Sequence, residues 1–177
     1  MRNIVYYVAI SIDGYISGID GSSEGFVPEG NGVDRYLSDL KEFDTVIMGR
    51  NTYEFGYRFG LEPGQAAYPH MQHYIFSKDL KFEHKMDNVH IRGININEIK
   101  KLRKGEGTDI YLCGGGQFAG WLLEHEQIQY LKVKLNPMIL GQGIRLFEGS
   151  TKFVKTELLE SDLYDNGLQI INYKILY

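Results

Sequence analysis

The chain begins by alternating short, continuous apolar runs with segments whose apolar residues recur at helical spacing. The first run covers residues 3–10, and such a series of β-forming residues is typical of a strand buried on both faces. Shorter runs of the same kind predict further buried strands. These strands are expected at 45–48, 74–77, 88–91 and 109–113.

The segments between the runs predict helices. Between Val33 and Phe43 the apolar residues fall on one side of a helix, with charged residues outside that stripe. Asn97 is expected to cap a short surface helix over 98–104. A third helix is expected directly after the glycine triplet 114–116, because apolar residues again recur there at i, i+3 and i+4.

The pattern changes towards the end of the chain. Apolar and polar residues alternate over 128–135, which is typical of a strand with one face in water. Two further strands are expected at 153–160 and 169–177, joined by a hairpin because Asn166-Gly167 is a strong turn signal. Strand–helix alternation followed by a hairpin implies an α/β fold with a mixed sheet and helices on its faces. Because no repeat or linker is present, we expect a single domain over 1–177.

Composition narrows the classes of function. The 177 residues, 43% hydrophobic and 24% charged, are typical of a soluble globular domain. The net charge of −4 and the lack of a basic run argue against a nucleic-acid partner. A membrane-spanning helix needs about 18 or more apolar residues in a row. No such stretch is present, and no signal-peptide pattern either, so no membrane partner is expected.

The cysteine and histidine residues indicate the redox state of the compartment and whether a metal site is expected. The single cysteine, Cys113, rules out an internal disulfide and a cysteine-cluster zinc site, and it is typical of a protein from a reducing cytoplasm. The five histidines include no helical i, i+4 pair and share no strand face. We therefore expect a cytoplasmic protein without a metal site.

The segment 109–123 offers the clearest chemistry. A predicted buried strand runs into Gly114-Gly115-Gly116, and a helix follows. Without Cβ atoms the backbone can take positive φ angles, and a ligand can lie directly against it. The helix start adds free N–H groups and a partial positive charge, so the arrangement is typical of a backbone cradle for a phosphate or pyrophosphate. The structural alternative is a tight turn that needs only one glycine.

Two other segments carry candidate site residues. The strand 45–48 ends at Gly49-Arg50-Asn51-Thr52, where a guanidinium and a hydroxyl can hold a phosphate; a salt bridge that caps the sheet is the alternative. The polar, glycine-rich loop 11–32 leaves directly from the first strand and is expected to form a flap over a site. In that loop Asp13-Gly14 suits a turn better than catalysis.

Five motifs in chain order resemble the dihydrofolate-reductase superfamily. Residues 48–54, 74–78 and 114–118 resemble the superfamily as a whole. Residues 11–16 and 140–147 are similar to its other branch, the reductase domain of the bifunctional riboflavin-biosynthesis enzyme and stand-alone bacterial proteins like it. The resemblance covers nearly the whole chain. It implies a three-layer fold on a mixed, mostly parallel sheet with antiparallel C-terminal strands, and NADPH as the hydride donor.

The resemblance also assigns residues to the cofactor. The glycine turn and the start of the next helix would meet the pyrophosphate, while Arg50 and Thr52 would hold phosphates, Arg50 near the adenosine 2′-phosphate. Residues 77–78 would approach the adenosine. The end of the first strand would line the nicotinamide pocket, with the Asp13–Gly14 loop closing over it. The cofactor-binding residues expected in this way are Ala9, Ile10, Gly14, Gly49, Arg50, Thr52, Ser77, Lys78, Gly114, Gly115, Gly116, Gln117 and Phe118.

Departures from the family pattern bear on the substrate. Folate reductases carry an arginine just before the strand that matches 74–77, where it binds the substrate's carboxylate, but this chain has Met71-Gln72-His73. The zinc deaminase half of the riboflavin enzyme is missing as well. We therefore expect an NADPH-dependent reductase that acts on a small heterocyclic, carbonyl or imine substrate. The activity expected by resemblance is that of a 5-amino-6-(5-phosphoribosylamino)uracil reductase in riboflavin biosynthesis, and dihydrofolate reductase is the alternative.

Asp34, on the first predicted helix, is the candidate proton donor or substrate anchor. Its structural alternative is a carboxylate that stabilises the N-terminus of the helix through the helix dipole. Because the apolar C-terminal strand ends in Ile175-Leu176-Tyr177, a homodimer is also expected.

Two other functions fit part of the sequence. Residues 114–119 match the glycine pattern of a Rossmann enzyme, but no acidic residue ends the following strand to bind a ribose. A nucleotide-binding module without catalysis is the alternative from a different class. Turnover of NADPH, rather than binding alone, would distinguish an enzyme from such a module.

Overall fold

The computed structural model describes all 177 residues, and its central element is an eight-stranded sheet. Its strands are β1 Ile4–Ile10, β3 Thr45–Gly49, β4 Gln72–Phe76, β5 Val89–Arg92, β6 Ile110–Gly114, β7 Tyr130–Leu135, β9 Lys155–Leu163 and β10 Gln169–Leu176, in the spatial order β5-β4-β3-β6-β1-β7-β10-β9. Two short strands, β2 Tyr15–Ser17 and β8 Ile144–Arg145, pair antiparallel as a separate ribbon.

The sheet is mixed and mostly parallel. All neighbours from β5 to β7 run parallel, whereas β10 is antiparallel to both β7 and β9. Four helices complete the fold: α1 Asn31–Leu40, α2 Arg50–Phe55, α3 Ile96–Lys104 and α4 Gly116–Glu124. None of them has the length and apolar character needed to cross a bilayer. The predicted α/β fold with antiparallel C-terminal strands is confirmed.

The alternating residues of β1 explain the three layers. Ile4 and Tyr6 pack in one core with Ile99 of α3 and with α4, while Val5 and Tyr7 pack in another core with α1 and α2. The sheet is therefore buried on both sides, as the continuous apolar run of β1 predicts.

Several boundaries differ from those expected. Asn95, not Asn97, caps α3, because its side chain accepts a hydrogen bond from the Asn97 backbone N–H at 2.8 Å. The sequence pattern does not predict the helix α2, whose six residues follow directly after β3. The C-terminal hairpin forms, but its only positive φ is at Gly167, so the turn ends in a glycine bulge instead of using both Asn166 and Gly167 in left-handed conformations.

Candidate active site

The site is built where β3 and β6 end side by side. The two strands are parallel neighbours, and Met48 is paired with Gly114. A Cβ atom added to Gly49 would lie 4.0 Å from the backbone nitrogen of Gly115. Parallel strands present their carboxyl ends at one edge of a sheet, so the segment starting at Arg50 and the glycine turn meet there.

Each residue of the glycine triplet is required for its own reason. Gly114 has a φ of 133°, a conformation that residues with a side chain rarely adopt. A Cβ on Gly115 would lie 2.9 Å from Thr52 Oγ1, and a Cβ on Gly116 would collide with the backbone oxygen of Arg145. The alternative of a turn that needs only one glycine is therefore wrong.

The turn leads directly into α4, whose N-cap is Gly115. No side chain caps this helix start, and the first N–H groups of a helix have no acceptor within it. Thr52 lies against the turn from the α2 side, and the exposed Gln117 lies in the first turn of α4. Backbone donors, one hydroxyl and one amide thus surround the turn, which is a suitable environment for an anion.

Phe118 lies at the start of α4, as expected, but its side chain points into the core. Its side chain is buried and stacks between Phe76, at a centroid distance of 4.9 Å, and Trp121, at 6.0 Å. The ring belongs to the core beneath the turn, so only the backbone of Phe118 can face a ligand.

Arg50 is held between two carboxylates. Its Nε donates to Glu54 at 2.7 Å and its Nη1 to Asp79 at 3.1 Å, and these groups raise the pKa of the guanidinium, Glu54 having the larger effect. Both the predicted salt bridge and a phosphate contact are compatible with this geometry. A guanidinium has five N–H donors, and three of them remain for a ligand.

The residues expected on the adenosine side, Ser77 and Lys78, follow β4. The Ser77 hydroxyl accepts from the backbone N–H groups of Asp79 and Leu80, at 3.3 and 3.1 Å, and so caps the turn. It also donates to the Asp79 carboxylate that pairs with Arg50. Lys78 is exposed beside this turn. The structure therefore brings Arg50, Ser77 and Lys78 to one side of the glycine turn.

The loop after β1 is clamped at the same edge. The Asp13 carboxylate accepts from Ser11 Oγ at 2.6 Å and from the backbone N–H groups of Leu140 and Gly141 at 3.0 and 2.7 Å, and these hydrogen bonds lower its pKa to about 2. Gly14 has a φ of 85°, and its carbonyl accepts from the backbone of Leu146. The expected role of Asp13 as a turn residue fits this geometry.

At the far side of the loop, the buried Asn136 holds it to the sheet. Its side-chain oxygen accepts from the backbone N–H of Val27 at 2.9 Å, and its amide nitrogen donates to the carbonyl of Lys134 at 2.9 Å. Ala9 and Ile10, both partly buried, lie at the end of β1 beneath the start of this loop.

With this geometry established, comparison with known proteins gives the family. The model of the RibD C-terminal domain matches residues 2–170. The chain belongs to the RibD C-terminal domain family. The resemblance to the riboflavin branch of the dihydrofolate-reductase superfamily is thereby confirmed.

Relatives of this RibD C-terminal domain include two Bacillus subtilis proteins. YwjB is 27% identical over 175 residues, with 96% of each chain covered. YyaP is 23% identical over 183 residues, covering 97% of this chain and 94% of its own.

Solved structures share the fold. A protein from Shewanella sp. PV-4 named for riboflavin biosynthesis superposes with a TM-score of 0.82 at 21% identity over the full length of both chains. The Thermotoga maritima diaminohydroxyphosphoribosylaminopyrimidine deaminase/5-amino-6-(5-phosphoribosylamino)uracil reductase gives 0.72 at 12% identity, covering 99% of this chain and 57% of its own. Dihydrofolate reductase from Enterococcus faecalis, complexed with NADP(H), gives 0.68 at 16% identity, covering 99% of this chain and 97% of its own.

In this family member Asp34 lies on α1 and not on the strand ends or turns that form the sheet edge described above. It is exposed and lies in the first turn of α1, about half a helical turn away from the packed residues Gly32 and Tyr36. Its carboxylate makes no side-chain hydrogen bond and no ion pair. The alternative of a carboxylate at a helix N-terminus fits this position, and the role of Asp34 as proton donor or substrate anchor stays a prediction.

The segment 71–73, where folate reductases have an arginine, has no cation. His73 is fully buried, and its Nε2 accepts from the Tyr68 backbone N–H at 3.0 Å. Burial lowers the pKa of His73 to about 4, so the ring is neutral at pH 7.

Sequence reasoning missed the groups on the α1 side of β7. The alternation over 128–135 predicts a face in water, but α1 covers that face, and Lys132 and Lys134 beneath it are largely buried. Lys132 donates to Asp39 of α1 at 2.6 Å. The sequence did contain a signal for this contact. Lys132 and Lys134 are spaced i, i+2 and so share one face of β7, and Asp39 lies on the helix α1 that could pair with them.

Proposed function

We propose that the chain is an NADPH-dependent reductase that transfers a hydride to a small heterocyclic, carbonyl or imine substrate, of the 5-amino-6-(5-phosphoribosylamino)uracil reductase type. The observation that carries the proposal is the meeting of the glycine turn with Arg50 and Thr52 at one sheet edge. Membership in the RibD C-terminal domain family and the shared fold support a reductase-type function.

The residues present fit a dinucleotide. The turn Gly114–Gly116 has no room for a Cβ at its last two positions, and α4 starts there without a side-chain cap, so backbone N–H groups would hold the pyrophosphate. Arg50 and Lys78 would hold a 2′-phosphate, and Ala9 and Ile10 would line the nicotinamide pocket. When bound, the reduced nicotinamide supplies the hydride. The chain's own part is to orient the ligands and to exclude water beneath the loop clamped by Asp13.

Cofactor preference is the first test. Thermal melting with NADPH, NADH, ADP and folate is expected to give the largest shift with NADPH, because Arg50 and Lys78 can meet the 2′-phosphate. A ligand at a hundred times its dissociation constant stabilises by about 2.7 kcal/mol, which is readily measured. Arg50→Met is expected to weaken NADPH binding by about tenfold or more and to leave NADH binding nearly unchanged.

Lys100→Met is the matched control, since Lys100 is an exposed cation on α3, away from the turn. Equal shifts with NADPH and NADH, or an Arg50→Met variant that binds both cofactors like the parent chain, would contradict the 2′-phosphate assignment.

Turnover is tested by following the absorbance of reduced nicotinamide over a panel of substrates. The panel includes 5-amino-6-(5-phosphoribosylamino)uracil, dihydrofolate and simple imines and ketones. NADPH oxidation with the aminouracil is the expected result. Tight NADPH binding without turnover of any compound would instead favour the non-catalytic nucleotide-binding module.

We also propose a homodimer, through a surface other than the one expected from the sequence. The strand β10, which holds Ile175 and Leu176, lies inside the sheet, and β9 forms its edge. Leu158 is 59% and Leu163 is 74% exposed on this edge strand. An open edge of nine residues with exposed leucines can pair with another copy.

Light scattering after size exclusion is expected to give twice the chain mass of 20.3 kDa. The double variant Leu158→Lys/Leu163→Lys is expected to be monomeric, whereas Leu37→Lys, at an exposed leucine of α1, should leave the mass unchanged. A parent chain that elutes only as monomer would refute this proposal.

A further inference from the structure

Two lysines of β7 lie on the same face of the sheet and have different surroundings. Lys132 is paired with Asp39 at 2.6 Å. Lys134 is 9% exposed, but its ammonium makes no ion pair and no hydrogen bond; it only lies over the ring of Tyr36, 4.7 Å from the centroid. An aromatic face attracts a cation but does not satisfy its three N–H donors.

The position of Lys134 connects it to the candidate site. In the sheet it is paired with Ala9 of β1, at the carboxyl end where the nicotinamide pocket is proposed. It is also paired with Ile170 on β10, so the side chain of Lys134 is flanked on both neighbouring strands by apolar residues. Burial in this environment lowers the pKa of Lys134.

Aromatic side chains surround this end of the sheet. The hydroxyls of Tyr36 and Tyr111 share a hydrogen bond of 2.8 Å, and the Tyr68 hydroxyl lies 3.7 Å from Cys113 Sγ. Tyr36, Tyr68 and Cys113 are partly exposed, so the group opens to solvent. We call Tyr36, Tyr68, Tyr111, Cys113 and Lys134 the aromatic cluster.

The Lys134 ammonium is largely buried and has no anion beside it, yet it keeps contact with solvent, so a ligand that brings an anion can reach it and gains from the pairing. Tyr36 and Tyr68 keep some exposure, so their rings are available to a flat ligand, whereas Tyr111 is buried. We propose that Lys134 is a substrate-binding residue, and that the aromatic cluster accepts a planar heterocycle whose anionic oxygen pairs with the Lys134 ammonium. This inference rests on the proposed reductase function, because it places the ligand beside Ala9.

The test uses orotate, a planar pyrimidinedione with a carboxylate, and uracil, the same ring without it. Calorimetric titration is expected to show that the parent chain binds orotate at least about tenfold more tightly than uracil, and that Lys134→Met removes this preference. Lys134→Arg, which keeps the charge, is expected to retain part of it.

Melting temperature and NADPH binding make the test specific. Lys134→Met is expected to melt at or above the temperature of the parent chain, because it removes an unpaired buried charge, and to keep the NADPH shift. A lower melting temperature would show a structural role and overturn the proposal. So would equal binding of orotate and uracil by the parent chain, or unchanged orotate binding by Lys134→Met. If the parent chain binds orotate more tightly than uracil but NADPH causes no shift in melting temperature, the reductase proposal fails. The proposal that the aromatic cluster binds an anionic planar heterocycle then still stands.

Discussion

Replacing Gly116 with alanine is expected to destabilise the fold and to prevent NADPH binding. The added methyl group would collide with the backbone oxygen of Arg145 and lie 3.2 Å from Ile144 Cγ2. A backbone oxygen cannot rotate away, so either the start of α4 or β8 must move. Overpacking of this kind costs about 1–3 kcal/mol, and movement of the turn would also misplace the N–H groups proposed to hold the pyrophosphate.

Urea unfolding and NADPH titration of Gly116→Ala measure the two effects. Gly93→Ala is the matched control, because a Cβ at Gly93 meets nothing within 4 Å and its φ is not in the left-handed region. A Gly116→Ala variant with the stability and NADPH affinity of Gly93→Ala would show that the close approach of Arg145 places no constraint on this turn.

The second large effect is expected at Asp39. Its carboxylate accepts from Lys132 at 2.6 Å, from Arg35 at 2.8 Å and from the Tyr7 hydroxyl at 3.1 Å. Asp39→Asn would leave Lys132 unpaired beneath α1. Breaking a buried pair costs about 3–5 kcal/mol, and since both side chains keep some exposure, we expect about 2–3 kcal/mol in urea unfolding at pH 7.

The same carboxylate predicts a dependence on pH. Burial raises the pKa of Asp39, but the hydrogen bonds from Lys132, Arg35 and Tyr7 outweigh it, so the pKa is lowered in the folded state. A lowered pKa gives stability that is complete above about pH 4, the range of an unfolded aspartate, and is lost as the pH falls through the folded value. The difference between the parent chain and Asp39→Asn should therefore shrink in acid.

Asp34→Asn is the control on the same helix, because Asp34 is exposed and makes no side-chain hydrogen bond or ion pair. The free energy of unfolding of Asp34→Asn should stay close to that of the parent chain both at pH 7 and in acid. An Asp39→Asn variant that behaves like Asp34→Asn would show that the Lys132–Asp39 contact contributes nothing to stability.

The sequence predicted those features that depend on local pattern. The apolar run 3–10 has no polar face, so it had to lie inside a sheet covered on both sides, and parallel strands then bring the residues after Gly49 and Gly114 to one edge. The glycine turn was recognisable from the sequence, because positive φ angles and close contacts with the backbone both favour residues without a Cβ atom.

The remaining features depend on long-range packing. Lys134 alternates with apolar residues and so resembles a residue in water, and only the docking of α1 buries it. Arg50 meets Asp79, 29 positions later, because β3 and β4 are neighbours. Asp34 was placed by analogy of position, but the rotation of α1 about its axis follows from contacts such as Gly32 with Leu168. No local pattern encodes that rotation.

The clamp on Asp13 determines how the loop after β1 could open. With a pKa of about 2 its carboxylate stays ionised at any pH a cell experiences, so acidification cannot release the loop. The loop is also held by the pairing of Tyr15 in β2 with Arg145 in β8, whose carbonyl lies against Gly116. The loop after β1 and the glycine turn are therefore joined through β8, and we expect a shift of the turn to be transmitted to the loop.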